Sequence, residues 1–578
     1  MDTGDQLTRV RHSLAHLLAI AVKEKNTGVK LGIGPVIESG FYYDFAFSSG
    51  YSPSPDDLKR FEARMRELIA EHLAFTLAEV SPDEAHAQFK DEPYKLELIN
   101  ELVERGEKLT TYTSGSFNDL CVGPHVANTS EINPDAFAIT HTAGAYWRGD
   151  EKNAMLTRIY GAAFATPKEL AEWESLKEEA ALRDHRKLGR ELGLFAFSDL
   201  VGSGLPLFTP KGTLVRDLIV EKIQTLQKEH GYERVTIPHI TKRELYETSG
   251  HWEKFKDDLF YVKGRSETEF VMKPMNCPHH TQIYASAQRS YKELPIRYME
   301  TTAVYRDEQQ GELLGLSRVR AITQDDGHVF CRLEQVGAEV THIIHVIKAF
   351  YTELGMFAED KYRVSLSVRD MAHKEKYLGE DRNWAEAEAA LEKCAKREAL
   401  NYKRVEGEAA FYGPKLDFIF KDSLGREWQL GTVQIDFVMP ERFGLEYTAE
   451  DGSRQRPVMI HRAIAGSLER FMAIMIEHFG GAFPLWLAPV QAVAFPVGGA
   501  HKEYAREVTD VLKQRGVRAE LDERDESLGK RIRDSKLNKI PYLLVVGDKE
   551  LASHTITAES REGTLGALTL EEFVSTLK

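Results

Sequence analysis

The spacing of apolar and polar positions divides the chain into stretches of different period. From about Leu7 to Glu24 the pattern predicts a helix, and residues 1 to about 165 as a whole mix short helices with short strands. A charged run from about Thr166 to Glu191, containing KELAEWESLKEEAALRDHRKLGRE, has few turn signals and predicts a solvent-exposed linking helix. The segment LPLFTPKGTLVRDLIVEKIQTLQKEHGYERVTIPHI then reads as a Pro/Gly turn, a long amphipathic helix and a β-branched strand ending at Pro238. From about 185 to 484 strands and helices go on alternating, which predicts an antiparallel sheet flanked by helices. Beyond Pro484 strands at Val490–Phe495, Arg518–Leu521 and Tyr542–Val546 alternate with helices at Lys502–Arg515 and Leu528–Asn538, the order of a small, mostly parallel α/β domain. The expected fold is α+β and multidomain, in segments 1–165, 166–184, 185–484 and 485–578.

Within this plan Thr301–Cys331, TTAVYRDEQQGELLGLSRVRAITQDDGHVFC, predicts a hairpin: strand, a loop punctuated by Gly311 and Gly315, and a returning strand from Arg318. Period-two alternation puts Arg318 and Arg320 on one face, and likewise Gln324, Asp326 and His328. Such a row is either a solvated sheet face or the floor of a cleft, where guanidinium groups grip phosphate and a carboxylate orients an amine or hydroxyl.

Composition narrows the class. At 578 residues the chain needs more than one core, and 42% hydrophobic with 29% charged residues suits a soluble globular protein. No apolar run approaches the ~20 residues of a membrane span, and the start MDTGDQLTRVRHSLAHLL lacks a secretory pattern, so a cytoplasmic location without membrane contact is expected. The four cysteines, Cys121, Cys277, Cys331 and Cys394, form no CxxC pair, which argues against a disulfide framework. A net charge of −15 disfavours binding nucleic acid on average, but Lys530, Arg531, Arg533, Lys536 and Lys539 form a local basic cluster. Two ligand-type pairs stand near the N-terminus: His12 with His16 at i, i+4 on the first helix, and Cys121 with His125 in NDLCVGPH, where Gly123-Pro124 makes a turn. By residue type they suit zinc as well as ordinary core or surface roles.

The 301–331 stretch resembles the second signature motif of class II aminoacyl-tRNA synthetases, and RVRAITQDDGHVFC is most similar to the threonyl-tRNA synthetase family. TAGAYWRGD, KPMNCPHH, GAAFYGPKLDF and VMIHRAIAGSLERF resemble the same family in the same order, so the likeness runs from near residue 5 to the C-terminus. It implies a class II antiparallel sheet, an α+β editing domain and a C-terminal α/β anticodon-binding domain, in the form without a small extra N-terminal domain. The implied reaction joins threonine to ATP as threonyl-adenylate, transfers it to the 3′ end of tRNA(Thr), and hydrolyses seryl-tRNA(Thr). The first class II motif, in the segment ending at Pro238, implies a homodimer.

By the same resemblance Arg306 bridges the amino-acid carboxylate and the α-phosphate, Arg318 and Arg470 hold the triphosphate end, and Glu308 and Gln429 contact adenine or ribose. Mg²⁺ accompanies ATP to neutralise phosphate charge. Threonine and valine share a shape, so selection must act on the hydroxyl: a site that binds it through buried polar contacts rejects the analogue by roughly 10⁴–10⁵. In the family this is done on zinc, and the matching ligands here are Cys277, His328 and His461, with His279, His280 and Cys331 expected to be packing or surface residues. Asp326 accepts the threonine hydroxyl, Gln324 and Tyr412 complete the pocket, and Lys415 and Gln434 line it or aid transfer. Serine keeps both coordinating groups, so a second, hydrolytic sieve is required. His12, His16, Lys95, Asp119, Cys121 and His125 match that editing pocket, which need not hold a metal.

In the C-terminal domain VVGDKE resembles the anticodon-reading segment, with Glu550 as the base contact. A second reader is usually an arginine, where this chain has Glu559; Arg561 stands close enough in sequence to substitute for it, and anticodon discrimination is expected to be altered or weakened. Two alternatives to the synthetase are a threonine-activating paralogue with altered tRNA specificity and an inactive RNA-binding relative. The second is expected to lack Arg306, Arg470 or a zinc ligand, and none is missing.

Overall fold

The computed structural model describes residues 3–48, 51–150, 152–265 and 267–577. It resolves into two compact units that divide between Glu178 and Glu179. In the first unit the helix Thr3–Lys25 buries Leu14, Leu17, Leu18 and Val22 in a core shared with the strand Gly40–Ala46 and the helix Pro55–Ala70. Pro55 at the first helical position and a Ser54/Asp57 capping box fix where that second helix begins. Gly40–Ala46, Met155–Ala163 and Phe137–Tyr146 are consecutive antiparallel strands of one sheet. Phe75–Val80, Leu109–Ser114 and Phe117–Leu120 make a second, three-stranded sheet.

The charged run is two helices, Pro167–Arg183 and His185–Glu191. Asp184 interrupts them at φ −47°, ψ 121°, and its carboxylate caps the second by accepting from the Arg186 N–H. The second of these helices is not a solvated linker, because its His185 and Gly189 are buried.

The second unit is organised on an eight-stranded sheet, in the order Glu233–Arg234, Ile296–Tyr305, Ala321–Cys331, Val458–Ser467, Glu427–Asp436, Lys415–Lys421, Tyr362–Val368, Tyr402–Glu406. The five central pairings are antiparallel and the two outermost are parallel. Apolar residues of Val336–Glu353 and Leu468–His478 share its core, which leaves the other face for polar side chains. The hairpin forms as expected from Ile296–Tyr305 and Ala321–Cys331, but the returning strand starts later than Arg318. Arg318 makes only an isolated bridge to Leu314 and residues 319–320 are irregular, so Arg318 and Arg320 do not share a strand face. Arg320 instead donates to the Glu308 carbonyl at 2.8 and 3.0 Å.

Under the hairpin, Asp325 is a charge taken fully out of water. Its carboxylate accepts from Gln227 Nε2 at 3.1 Å, Arg462 Nη1 at 2.9 Å, and the Ile464 and Ala465 N–H groups at 2.7 and 3.1 Å. Gly327 makes room for the partner, since a Cβ there would lie 2.3 Å from Arg462 Nε. This clamp locks Ala321–Cys331 to Val458–Ser467.

The C-terminal sheet has the order Ala519–Leu521, Ala492–Pro496, Tyr542–Val546, Ile556–Ser560, Gly563–Leu568. The first three strands are parallel as expected, but the last two run antiparallel, so the sheet is mixed. The return is a tight one: the short helix Asp548–Ser553 ends with His554 at φ 49°, leaving no length for a crossover to a further parallel strand.

Asp325→Ala leaves the Arg462 guanidinium buried without its carboxylate and is expected to destabilise the second unit by about 3–5 kcal/mol, read as a lower urea midpoint beside an unchanged transition of the first unit.

Candidate functional site

The sheet register assembles the first site. His328 lies directly opposite His461 on the neighbouring strand, His461 opposite Gln434 on the next, and Gln434 opposite Lys415 on the one after. Residues paired across a sheet point to the same face, so side chains far apart in sequence form one row. Cys277 begins the helix Cys277–Ala285 above this row, and its thiol and the two imidazoles offer ligand atoms within 4.8 Å of one another. All three residues are buried.

A cavity of about 390 Å³ opens over the row. Cys277, His328, His461, Gln324, Asp326, Tyr412 and Gln434 line one part, and Arg306, Glu308, Arg318, Gln429 and Arg470 another. Several polar groups have a backing partner: Asn276 Nδ2 donates to Asp326 at 2.8 Å, Tyr412 Oη to Gln434 Oε1 at 2.8 Å, and Gln429 Nε2 to Asp417 at 2.7 Å. Asp436 sits 2.9 Å from His461 Nε2 and is itself held by the Val438 and Met439 N–H groups. Lys415 ends the row outside the lining, with its ammonium 2.6 Å from Asp417.

Electrostatically the site is built for an anion at one end. Burial, and then the charges of Arg318 and Arg306, push the Arg470 guanidinium below its ordinary pKa, so three like charges converge there. Arg318 is neutralised within the protein by Glu308 at 2.6 Å and Glu312 at 3.0 Å. A polyanion entering here has to displace carboxylates from Arg318. At the other end burial raises Asp326 and raises Cys277 strongly, while it lowers His328 strongly, which favours neutral nitrogen and sulfur donors. This donor set, two imidazoles and one thiol, fits a zinc ion that keeps an open position. His280 does not pack passively: fully buried, its Nδ1 stands 2.8 Å from His328 Nδ1.

The second site lies in the first unit. His12 and His16 project from successive turns of the first helix towards Cys121 and His125. Gly123, at φ 73°, turns the chain between the last two, and no Cβ fits there because Tyr112 Oη would be 2.6 Å away. His125 Nε2 and His12 Nε2 are each 3.3 Å from Cys121 Sγ, Ser13 Oγ is 3.1 Å from His125 Nδ1, and His12 Nδ1 is 3.2 Å from the Pro124 carbonyl. These contacts admit one consistent proton pattern. Ser13 takes the Val126 N–H and donates to His125, His125 donates to sulfur, the thiol donates to His12, and His12 donates to Pro124. His12, Cys121 and His125 are therefore satisfied without an ion, whereas His16 Nδ1 is buried with no hydrogen-bond partner.

Burial keeps this chain neutral, with His125 lowered to about 2 and Cys121 raised to about 11. Beside it Lys95 and Asp119 form a buried pair at 2.6 Å, and Tyr43 Oη donates to the same carboxylate at 2.6 Å. Ser13 and Tyr43 escaped the sequence reading. Ser13 carried no signal beyond following His12, and Tyr43 is placed only by the strand Gly40–Ala46 facing the pocket.

In the C-terminal sheet Glu550 accepts from the Gly547 N–H at 2.9 Å and the Thr557 hydroxyl at 2.7 Å, which fixes its carboxylate at the start of a helix. Glu559 pairs with Lys536 at 2.7 Å. Arg561 does not substitute for it: its guanidinium donates to the Phe483 and Lys539 carbonyls, and burial lowers it to about 10. The basic cluster is also largely committed, because Arg531 is buried on the Pro496 and Asp522 carbonyls and Lys530 pairs with Glu526 at 2.5 Å.

Comparison with known proteins agrees with this geometry. Residues 260–479 match the tRNA synthetase class II core domain (G, H, P, S and T), 491–578 the anticodon binding domain, and 109–160 the threonyl and alanyl tRNA synthetase second additional domain. A threonine–tRNA ligase of Gloeobacter violaceus is 51% identical over 99% of this chain and 92% of its own, and one of Thermus thermophilus 49% identical over 98% and 87%. The chain belongs to the threonine–tRNA ligase family. Among solved structures, the RNA binding domain of threonyl-tRNA synthetase from Cryptosporidium parvum aligns with TM-score 0.65 at 35% identity, over 68% of this chain and 97% of that one. A Giardia lamblia prolyl-tRNA synthetase aligns with TM-score 0.52 at 17% identity, over 69% of this chain and 76% of that one, and shares the fold. No helix of the described residues is long and apolar enough to cross a membrane.

In this family member the Cys121 thiol, held up to about 11 by burial, carries little thiolate at neutral pH. Its alkylation by iodoacetamide at pH 7.5 is expected to be at least about tenfold slower than that of a free cysteine of pKa about 8.5, and to climb towards pH 11, as read by peptide mass spectrometry.

Proposed function

We propose that this chain is an ATP-dependent threonine–tRNA ligase that activates L-threonine, charges tRNA(Thr) and hydrolyses seryl-tRNA(Thr). The observation that carries the reading is the row His328, His461, Gln434 beneath Cys277, continuous in one cavity with Arg306, Arg318 and Arg470. A neutral metal-type donor set beside a cluster of three arginines suits a small amino acid next to a triphosphate. An inactive or activation-only relative has no use for both the complete row and the second pocket.

Activation joins the threonine carboxylate to the α-phosphate and expels pyrophosphate. Arg306 faces both reacting groups and stabilises charge as it develops, while Arg318 and Arg470 hold the departing phosphates. Glu308 leaves Arg318 when ATP, with Mg²⁺, arrives, and is then free for the nucleoside together with Gln429. Cys277, His328 and His461 would hold Zn²⁺, which when bound supplies coordination for the threonine amino and hydroxyl groups. Asp326, kept in place by Asn276, accepts the hydroxyl proton, so valine leaves a buried carboxylate unsatisfied. Gln324, Tyr412 and Gln434 close the pocket, and Lys415 stands at its margin for the transfer step.

The editing pocket acts differently. Its neutral Cys121–His12–His125 chain can relay a proton at no cost in buried charge, and the Lys95–Asp119 pair fixes the polar end of the ester. On this reading residues 1–165 edit, 166–184 link, 185–484 catalyse and 485–578 bind the anticodon through Glu550. A homodimer is supported by exposed apolar side chains Phe197, Leu200, Val201, Leu207 and Ile240 around the segment that resembles the first class II motif. The cytoplasm is the proposed location.

Charging of a threonine tRNA transcript by the zinc-replete protein tests the whole. Threonyl-tRNA is expected, and a zinc-loaded protein that fails to charge would return the activation-only reading. Asp326→Asn should lower threonine-dependent pyrophosphate exchange by about 10- to 100-fold, the worth of a charge-assisted hydrogen bond, with the KM for ATP little changed. Lys95→Ala should charge threonine normally but accumulate seryl-tRNA(Thr). Glu559→Arg frees Lys536 and adds a donor, so it should sharpen discrimination among anticodon variants in the same assay.

A further inference from the structure

His280 and Glu300 take part in none of the steps above, yet both are buried, and their side chains hold two polar atoms without a hydrogen-bond partner. Those atoms, His280 Nε2 and Glu300 Oε2, face each other at 3.5 Å. The other oxygen of Glu300 is fixed, since it accepts the Ile237 N–H at 3.0 Å. The other nitrogen of His280 is the one that meets His328, Nδ1 to Nδ1 at 2.8 Å, with the rings perpendicular.

A contact of that length between two ring nitrogens needs one proton in it, because two lone pairs or two N–H groups would repel. If His280 donates, His328 spends its Nδ1 lone pair on the bond and carries its own proton on Nε2, so neither nitrogen is left as a ligand. If His328 donates, its Nε2 lone pair is free, and the proton of His280 must then sit on Nε2, where it points at Glu300. The carboxylate can only accept. It therefore selects the second arrangement.

We propose that Glu300 and His280 are positioning residues that set the tautomer of His328 and present its Nε2 to the metal. The inference rests on the zinc reading of Cys277, His328 and His461. The relay is economical in sequence: Cys277 and His280 are three residues apart on one helix and so share a face, the first as a donor and the second behind another donor. Glu300 pairs in register with Asp326 on the adjacent strand, and Tyr298 with His328, so the hairpin places the carboxylate two positions from the ligand. The other histidine of the pair, His279, lies off that face and contributes no bond.

An isosteric change gives a sharp test. In Glu300→Gln the Ile237 N–H claims the amide oxygen, so the amide NH₂ faces His280 Nε2 and calls for a lone pair there. That reverses the relay. Zinc affinity, measured by competition with a chromophoric chelator, should fall by about 10- to 100-fold in Glu300→Gln and in His280→Leu. It should stay near that of the unmodified protein in His280→Asn, whose amide oxygen can stand at the Nδ1 position and accept from His328. Thermal unfolding of the zinc-free proteins should not separate Glu300→Gln from the unmodified chain. Equal zinc affinity in the unmodified protein and Glu300→Gln would overturn the relay while leaving the zinc site intact. An unmodified protein that takes up no zinc would instead remove the zinc reading, and the relay with it.

Discussion

Strand register in the central sheet is the constraint on which the rest of the second unit depends. A one-residue slip between Ala321–Cys331 and Val458–Ser467 would turn His328 away from His461 and carry Asp326 and Gln324 to the opposite face, because side chains alternate with period two. The pairing is not held by the hydrophobic face alone. Asp325 accepts from Arg462 and from the backbone of residues 464 and 465 on the partner strand, so a buried carboxylate pins the two strands at one point. Removing either partner would leave a charge out of water, and this makes the register expensive to change.

The same economy recurs around the cavity. Several polar side chains that line it are backed by a second one: Asn276 behind Asp326, Asp436 behind His461, His280 behind His328, Asp417 behind Gln429. Rotamers held from behind present their free atoms in one direction. The cationic end is arranged otherwise. Arg318 rests on Glu308 and Glu312, so an anion binding there would exchange internal ion pairs for its own.

Both sites use burial to favour uncharged groups. In the larger cavity it raises Cys277 and lowers His328. In the first unit Cys121 is driven up, His125 and His16 down, and a chain of neutral hydrogen bonds runs from the Val126 N–H to the Pro124 carbonyl. A pocket of that kind can move protons without reorganising buried charge. It also explains why ligand-type residues with metal-like spacing need not bind metal.

Sequence alone determined what depends on local order and on residue type. The hairpin of Ile296–Tyr305 with Ala321–Cys331, the first helix with His12 and His16 on one face, and the common face of Gln324, Asp326 and His328 all follow from periods of 3.6 and 2. Motif order supplied the family. What the chain could not disclose locally is whatever depends on which distant residue lies opposite. The start of the returning strand after Arg320, the break at Asp184, the antiparallel end of the last sheet and the commitment of Arg561 to two backbone carbonyls are all set by contacts made across the fold. Ser13, Tyr43 and Glu300, and the contact that takes His280 out of a packing role, were hidden for the same reason, since a hydrogen bond between residues tens of positions apart leaves no periodic trace. Only the tertiary structure decides those partners, because pairing of buried polar groups is settled by three-dimensional proximity and by the cost of leaving any of them unpaired.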